Sequence, residues 1–325
     1  MTQIAAVAIG RNEGARLVRC LAALRREMGA GARVVYVDSG STDGSLAAAE
    51  AAGAEVIALD LSIPFTAARA RNAGIERLRQ GDVPELVQFV DGDCELQPGW
   101  LAAATAHLDA HPKAAVVCGR RRETRPEASL WNRLCDIEWD TPVGEAKACG
   151  GDALIRMAAL EDVDGYDPSL IAGEEPEMCL RMRAKGWTVW RIDHEMTLHD
   201  ADMTRFSQHW RRMQRSGHAW AEGAAMHGGP PERHGVRGLM RALGWGALLP
   251  LLTLLGLVLV GPWALILLLA YPAQIARMAL RAGGTRMAWT EAALSVLTKF
   301  AEAQGALGYF WRRLRRGPVR LIEYK

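Results

Sequence analysis

The sequence has no Cys-x-x-Cys pair among its 6 cysteines, at positions 20, 94, 118, 135, 149 and 179. That excludes a zinc framework and a disulfide scaffold and fits a reducing compartment. Neither sign of charge is in excess: 39 Lys and Arg against 37 Asp and Glu leave a net +2, so no global field points to a nucleic-acid partner. There is no Gly-x-Gly-x-x-Gly after the first apolar run and no Gly-x-x-x-x-Gly-Lys-Ser/Thr anywhere, which disfavours dinucleotide and P-loop sites. Residues 1–10 are apolar but short and carry no basic leader, so they read as a first strand rather than a signal peptide. What is there is a chain of 325 residues, long enough for a large catalytic domain and an appendage.

Apolar, strand-like runs occupy residues 4–9, 33–37, 55–59 and 86–90, alternating with helical patterns over 15–28, 45–52 and 65–78. Leu17, Leu21 and Leu24 fall at helical spacing, and Ser41, Thr42 and Asp43 are N-cap candidates for the second helix. The alternation predicts an α/β domain with a mostly parallel sheet, helices on both faces, and a ligand crevice beyond the carboxyl ends of the strands. Several polar groups collect there. Ile9 closes the first strand ahead of Arg11, Asn12 and Glu13; Asp38, Ser39 and Gly40 follow the second; Asp91, Gly92 and Asp93 follow the fourth. Two carboxylates at a strand end, with a glycine that lets the backbone turn, can converge on one point. They suit a hard divalent cation such as Mg²⁺ or Mn²⁺, leaving other positions to phosphate and water. An Asp-Gly-Asp surface turn is the plain alternative, and the clustering of polar residues at the same sheet end weighs against it.

Further along, residues 100–108 and 131–139 read as helices and 115–119 as a strand, while 152–160 satisfy either period. The segment Gly173-Glu174-Glu175-Pro176-Glu177 opens a helix that stops at Gly186, with proline and acids suited to its first turn. Capping accounts for one or two of these acids, not three. Residues 189–192 are strand-like, and His199 beyond them is a candidate third metal ligand, although a lone histidine is more often structural. A helix over 206–225 carries Trp210, Arg211, Arg212, Arg215, His218 and Trp220.

These motifs, in this order, resemble the family 2 glycosyltransferases with the nucleotide-sugar-binding GT-A fold, over about residues 4–199. Arg11-Asn12-Glu13 looks like the family's first-strand loop. Asp38-Ser39-Gly40-Ser41-Thr42-Asp43-Gly44 looks like its base-binding turn, and Ala70-Arg71-Asn72-Ala73-Gly74 like its helix motif, whose arginine also contacts the nucleotide. Asp91-Gly92-Asp93 matches its D-x-D metal motif. Glu174-Glu175 matches its E-D motif, which makes Glu175, one methylene longer than the usual aspartate, the expected base and Glu174 the fallback. Processive members carry Q-x-x-R-W; Gln208-His209-Trp210-Arg211-Arg212 lacks that order. The resemblance implies an inverting, metal-dependent, non-processive transfer of a sugar from a nucleoside-diphosphate sugar to a saccharide or lipid-linked acceptor. A non-catalytic nucleotide-sugar-binding scaffold would not need Glu175. A nucleotidyltransferase would show a glycine- and lysine-rich first loop, which Gly10-Arg11-Asn12-Glu13-Gly14 is not.

Gly228-Gly229-Pro230-Pro231 marks a boundary, giving domains 1–227 and 228–325. An apolar stretch over 243–280 follows, broken by Gly261-Pro262. A membrane helix needs roughly 20 apolar residues, and each half just reaches that, with one tilted span as the competitor. Arg237 and Arg241 before it and Arg277, Arg281 and Arg286 after it favour the same, cytoplasmic side. The expectation is a helical hairpin in the cytoplasmic membrane with the catalytic domain on the cytoplasmic side. Behind it, residues 289–310 are amphipathic and residues 312–320 basic, suited to anionic membrane lipids.

Overall fold

The run IAAVAIG forms β1 (Ile4–Gly10), buried along all but its two ends, the burial expected of a parallel strand covered on both faces. It is an interior strand of the sheet in the computed structural model of the chain, which describes residues 3–315 and 322. After it come α1 (Ala15–Met28), β2 (Val34–Asp38), α2 (Ser45–Ala51), β3 (Glu55–Ala58), α3 (Ala67–Leu78) and β4 (Leu86–Asp91). Strands β3-β2-β1-β4 lie side by side and are parallel throughout, as the alternation predicts. Helix α2 starts at Ser45 as expected, but none of the three cap candidates occupies its N-cap position. Its N-cap is Gly44 with no side-chain cap, and Asp43 Oδ1 instead accepts the Ser45 amide at 2.9 Å. Ser41 and Thr42 bond to the first-strand loop instead.

The second half of the sheet is mixed. It comprises β5 (Cys94–Leu96), α4 (Trp100–Ala110), β6 (Ala114–Glu123), α5 (Leu130–Glu138), β7 (Gly144–Ala146), β8 (Ala153–Arg156), α6 (Met157–Asp162), α7 (Glu174–Ala184) and β9 (Thr188–His199). The order continues β4-β8-β6-β9-β5, with β7 also on β9; β6 and β9 are parallel, and β8, β5 and β7 run antiparallel to their neighbours. The ambiguous residues 152–160 are both things in turn: β8, then α6. Strands β6 and β9 outrun their expected lengths because they pair with each other as far as Glu123 and His199. That extension carries Arg121 and His199 to the carboxyl end.

By its contacts the chain divides into Met1–Thr204 and Arg205–Lys325. Helix α8 (Phe206–His227), which the sequence groups with the first domain, falls in the second unit. There it meets α12 (Arg286–Leu314): Trp210 Nε1 donates to Gln304 Oε1 at 3.1 Å, and Arg312 meets His218 Nδ1 at 2.7 Å. Between them lie α9 (Val236–Leu243), a π-helical turn (Gly244–Leu248), α10 (Leu249–Val260), a 3₁₀ segment (Gly261–Leu269) and α11 (Ala270–Arg281). This run, Val236–Arg281, is long and apolar enough to cross a membrane. It is not one straight rod. Tyr271 Oη donates to the Trp245 carbonyl at 2.7 Å across 26 residues, which a continuous helix would hold roughly 39 Å apart. Gly256 packs so closely on Ala264 that an added Cβ would come within 2.7 Å. The chain reverses at Gly261, whose φ of 71° suits glycine. Of the basic tail, Arg316 and Arg320 lie outside the described residues.

Candidate functional site

The carboxyl ends of β1, β2 and β4 meet at one crevice. The turn after β2 is shaped by Asp38, which is almost fully buried. Its Oδ1 accepts from Tyr36 Oη at 3.0 Å and from Ser41 Oγ at 2.5 Å; its Oδ2 accepts the amides of Gly40 and Ser41 at 2.8 and 2.7 Å. Burial and the Asp38 charge push the Tyr36 hydroxyl far above its ordinary range, so it stays a donor. Both Asp38 oxygens thus serve the turn. The amide of Ser39 donates to the Gly10 carbonyl at 3.0 Å. Asn12, at a φ of 56°, locks the two loops together: its amide reaches Ser41 Oγ at 2.8 Å and its Oδ1 accepts from Thr42 N at 2.7 Å. The Arg11 guanidinium lies 4.7 Å over the Phe65 ring, and Glu13 pairs with Arg16 at 2.9 Å. Ile9 accepts the Gly92 amide at 2.7 Å, which ties the first-strand loop to the Asp91-Gly92-Asp93 turn.

Beyond β4 the site is a ladder of carboxylates and guanidiniums. Arg71, on α3 and 2 % exposed, binds three acids at once: Asp91 Oδ1 at 2.9 Å, Glu174 Oε1 at 2.9 Å and Glu175 Oε1 at 3.1 Å. Its ring neighbour is Tyr166, 5.5 Å away. The next residue, Asn72, clamps the Tyr166 backbone through both its amide atoms, at 2.7 and 2.9 Å, which fixes α3 against the segment leading into α7. On the other side of Asp91, Arg121 Nη2 reaches Asp91 Oδ2 at 3.4 Å and Asp152 Oδ2 at 2.7 Å. Asp152 is fully buried and also accepts the Asp91 amide and the Thr197 hydroxyl, at 3.0 and 2.8 Å. A buried charge persists only when paired and hydrogen-bonded in this way. Gly151 lies flat on the ladder: a Cβ there would come within 2.7 Å of Asp91 Oδ2.

The two acids that open α7 differ. Glu174 is the more buried and hydrogen-bonds Arg71; Glu175 keeps a partly exposed carboxyl. Burial, then the neighbouring Glu174 charge, push Glu175 up to about 7, with Arg71 pulling the other way. A carboxyl poised near neutral pH suits a proton acceptor.

Asp93 points elsewhere. Its Oδ2 meets His199 Nε2 at 3.1 Å, in a buried pair. The two aspartates of the motif therefore serve two clusters, Asp93 with Cys94 and His199, and Asp91 with Cys94 and Asp152, rather than converging on one point. Burial and the Arg121 charge push His199 down to about 4, so its imidazole is neutral at pH 7. Its Nδ1 is buried with no hydrogen-bond partner. A buried carboxylate beside a neutral imidazole fits a divalent transition ion such as Mn²⁺. Asp91, engaged by two guanidiniums, fits a counter-ion for Arg71 and Arg121. Trp139, at the end of α5, covers His199 with ring centroids 4.6 Å apart and lies 5.5 Å from Arg121.

The structure thus brings Ile9, Asp91, Gly92, Arg71, Glu174 and Glu175 together, places Asp93 with His199, and keeps Asp38, Ser39, Gly40, Asn12, Arg11 and Glu13 around the β1–β2 loops. Sequence reading missed Arg121, Asp152, Gly151 and Trp139. Arg121 had a signal: in Arg120-Arg121-Arg122 a strand's period of two separates the middle residue from its neighbours. Asp152 had none, because its role depends on β8 lying between β4 and β6.

A sheet of this topology, with an acid-rich turn beyond β4, is the GT-A class of α/β fold. Three solved structures share it. The chain is 19% identical to the mannosyltransferase PcManGT of Pyrobaculum calidifontis, in complex with GDP-Man and Mn²⁺, covering 96% of this chain and 88% of that one at a TM-score of 0.60. It is 15% identical to TarS 1–349 of S. aureus, covering 96% and 92% at 0.51. It is 17% identical to glucosyl-3-phosphoglycerate synthase of Mycobacterium tuberculosis, in complex with phosphoglyceric acid, covering 71% and 81% at 0.51. No curated protein matches the sequence. Residues 7–159, just under half of the chain, match the family model Glycosyl transferase family 2.

Proposed function

We propose that the chain transfers one sugar per encounter, with inversion, from a nucleoside-diphosphate sugar to a hydroxyl of a saccharide or lipid-linked saccharide acceptor at the cytoplasmic membrane. The observation that carries this reading is Glu175: a carboxyl held near pH 7 by burial beside Glu174, at the mouth of a crevice lined by Arg71 and Asp91. Glu175 takes the proton of the acceptor hydroxyl as that oxygen attacks the anomeric carbon. The bond to the diphosphate breaks, so the proton ends on Glu175 and the electron pair on the leaving nucleoside diphosphate. Arg71, paired with both Glu174 and Glu175, holds Glu175 in place. Asp93 and His199 would hold Mg²⁺ or Mn²⁺, whose charge would neutralise the leaving diphosphate. The turn built by Asp38, Ser39, Gly40 and Asn12, with Arg11 on Phe65, would receive the nucleoside. PcManGT, a structural relative, binds GDP-Man and Mn²⁺, and the mycobacterial synthase binds UDP and Mn²⁺. Both support a metal and a nucleotide-sugar here.

The test is a thermal-shift screen of UDP- and GDP-sugars with and without Mn²⁺, because a ligand at a hundred times its Kd stabilises by about 2.7 kcal/mol. Hydrolysis of the stabilising donor is then followed without acceptor. A metal-dependent shift with slow hydrolysis is expected. A shift with no hydrolysis and no transfer would make the chain a nucleotide-sugar-binding scaffold.

A further inference from the structure

We infer that residues 242–276 are a membrane hairpin of two short spans, whose tip around residues 258–263 reaches the bilayer face opposite to the hairpin's open end. The inference is independent of the transferase chemistry.

Four observations carry it. First, the arms are antiparallel: Tyr271 bonds to Trp245 and Gly256 packs on Ala264, so a single tilted span does not describe the run. Second, the outer faces are bare. Val258 and Trp263 are each 83% exposed, and Leu251, Leu254, Leu259 and Ile266 are mostly so. A helix pair in a soluble core would bury these residues; hydrocarbon is the surrounding that suits them. Third, charge is confined to the open end. No Asp, Glu, Lys or Arg lies between Arg241 and Arg277, and both arms leave that end through arginines, Arg237 and Arg241 on one and Arg277 and Arg281 on the other. Trp245 and Tyr271, with ring centroids 6.0 Å apart, sit just inside them, the order in which aromatic and basic residues mark a membrane–water interface.

The fourth observation decides depth. From Trp245 to Val260 the first arm rises roughly 23 Å, against about 30 Å of hydrocarbon. Taken alone, that length fits a loop that dips in and stops. The tip argues otherwise. Helix α10 gives way at Gly261-Pro262 to the 3₁₀ segment, and Pro262 has no N–H to donate back to the α10 carbonyl four residues earlier, so that group needs water. Unpaired backbone groups do not persist in contact with lipid tails. Thinning the bilayer by several ångströms is the smaller cost. The hairpin therefore crosses, and Trp263 is its anchor at the far interface.

The experiment labels single-cysteine variants of the full chain in sealed membrane vesicles of known sidedness, with a membrane-impermeant maleimide. Val258→Cys and Trp263→Cys report the tip; Leu280→Cys, 67% exposed, reports the open end. All native cysteines precede residue 180, so peptide mapping separates their labelling from that of the variants. The tip and Leu280→Cys should label from opposite faces, each at least tenfold faster from its own side. Labelling of all three from one face would overturn insertion. A tip labelled from neither face until detergent is added would overturn crossing and leave a loop that ends inside the bilayer.

Discussion

Replacing Glu175 by Gln keeps the shape at the start of α7 but removes a charge that the fold holds at a loss. In the folded chain the Glu175 carboxyl is raised from 4.5 to about 7. At about 1.4 kcal/mol for each pH unit between those values, its ionised form costs the native state about 3 kcal/mol. The sign follows from proton binding. Below pH 4.5 the carboxyl is protonated folded or unfolded and has no effect. Between 4.5 and 7 only the unfolded chain releases the proton, so stability falls as pH rises. Above 7 the loss is complete. Glu175→Gln should therefore match the wild type at pH 4 and be more stable by about 3 kcal/mol at pH 8, or roughly 6–12 °C in Tm for a domain of this size. The same change should lower transfer by about 10²–10⁴-fold and abolish the rise of kcat/KM through pH 7, with donor and Mn²⁺ affinity kept. Denaturation at both pH values, beside initial rates against pH, reads all of this. Equal stability at pH 8 would show that the carboxyl is not held near neutrality. Near-normal transfer would remove Glu175 from the mechanism, and loss of donor binding with rate would make it structural and turn attention to Glu174.

Asp93→Ala should abolish Mn²⁺-dependent binding of the nucleotide-sugar while the fold survives; unchanged affinity in calorimetry with Mn²⁺ would place the ion elsewhere. Arg121→Met leaves Asp152 buried and short of its main cation, so unfolding should become easier by about 3–5 kcal/mol, measured by denaturant titration; a loss under 1 kcal/mol would mean water reaches Asp152. Gly151→Ala presses a methyl onto Asp91 and Arg71 and should cost about 1–3 kcal/mol of stability together with most activity, whereas Gly150→Ala, next to it, meets no atom within 4 Å and bears only the strain of its φ of 81°. Equal losses in the two would discard the close approach as the cause.

The local pattern of the chain determined more than half of this architecture. Continuous apolar runs such as β1 and β4 are what buried parallel strands need, and each ends in the glycine or acid that stops it. The alternation with α1, α2 and α3 then leaves the crevice at one end of the sheet. Glu174 and Glu175 were legible for the same reason: three acids behind a glycine exceed what a helix N-terminus requires. Tertiary structure alone decided how the charges pair. Arg71 looks like a nucleotide contact in sequence, yet α3 aims it inward, where burial forces it onto Asp91, Glu174 and Glu175. The two motif aspartates, two residues apart in sequence, part because the turn at Gly92 gives Asp91 to Arg71 and Arg121 and gives Asp93 to His199. Asp152 and Trp139 carry no local signal, since each matters only through strands and helices remote in the chain. The hairpin divides the same way. Its apolar length is composition, but the reversal at Gly261 becomes certain only through Tyr271 reaching Trp245, because hydropathy measures how much of a helix avoids water and not which way the chain returns.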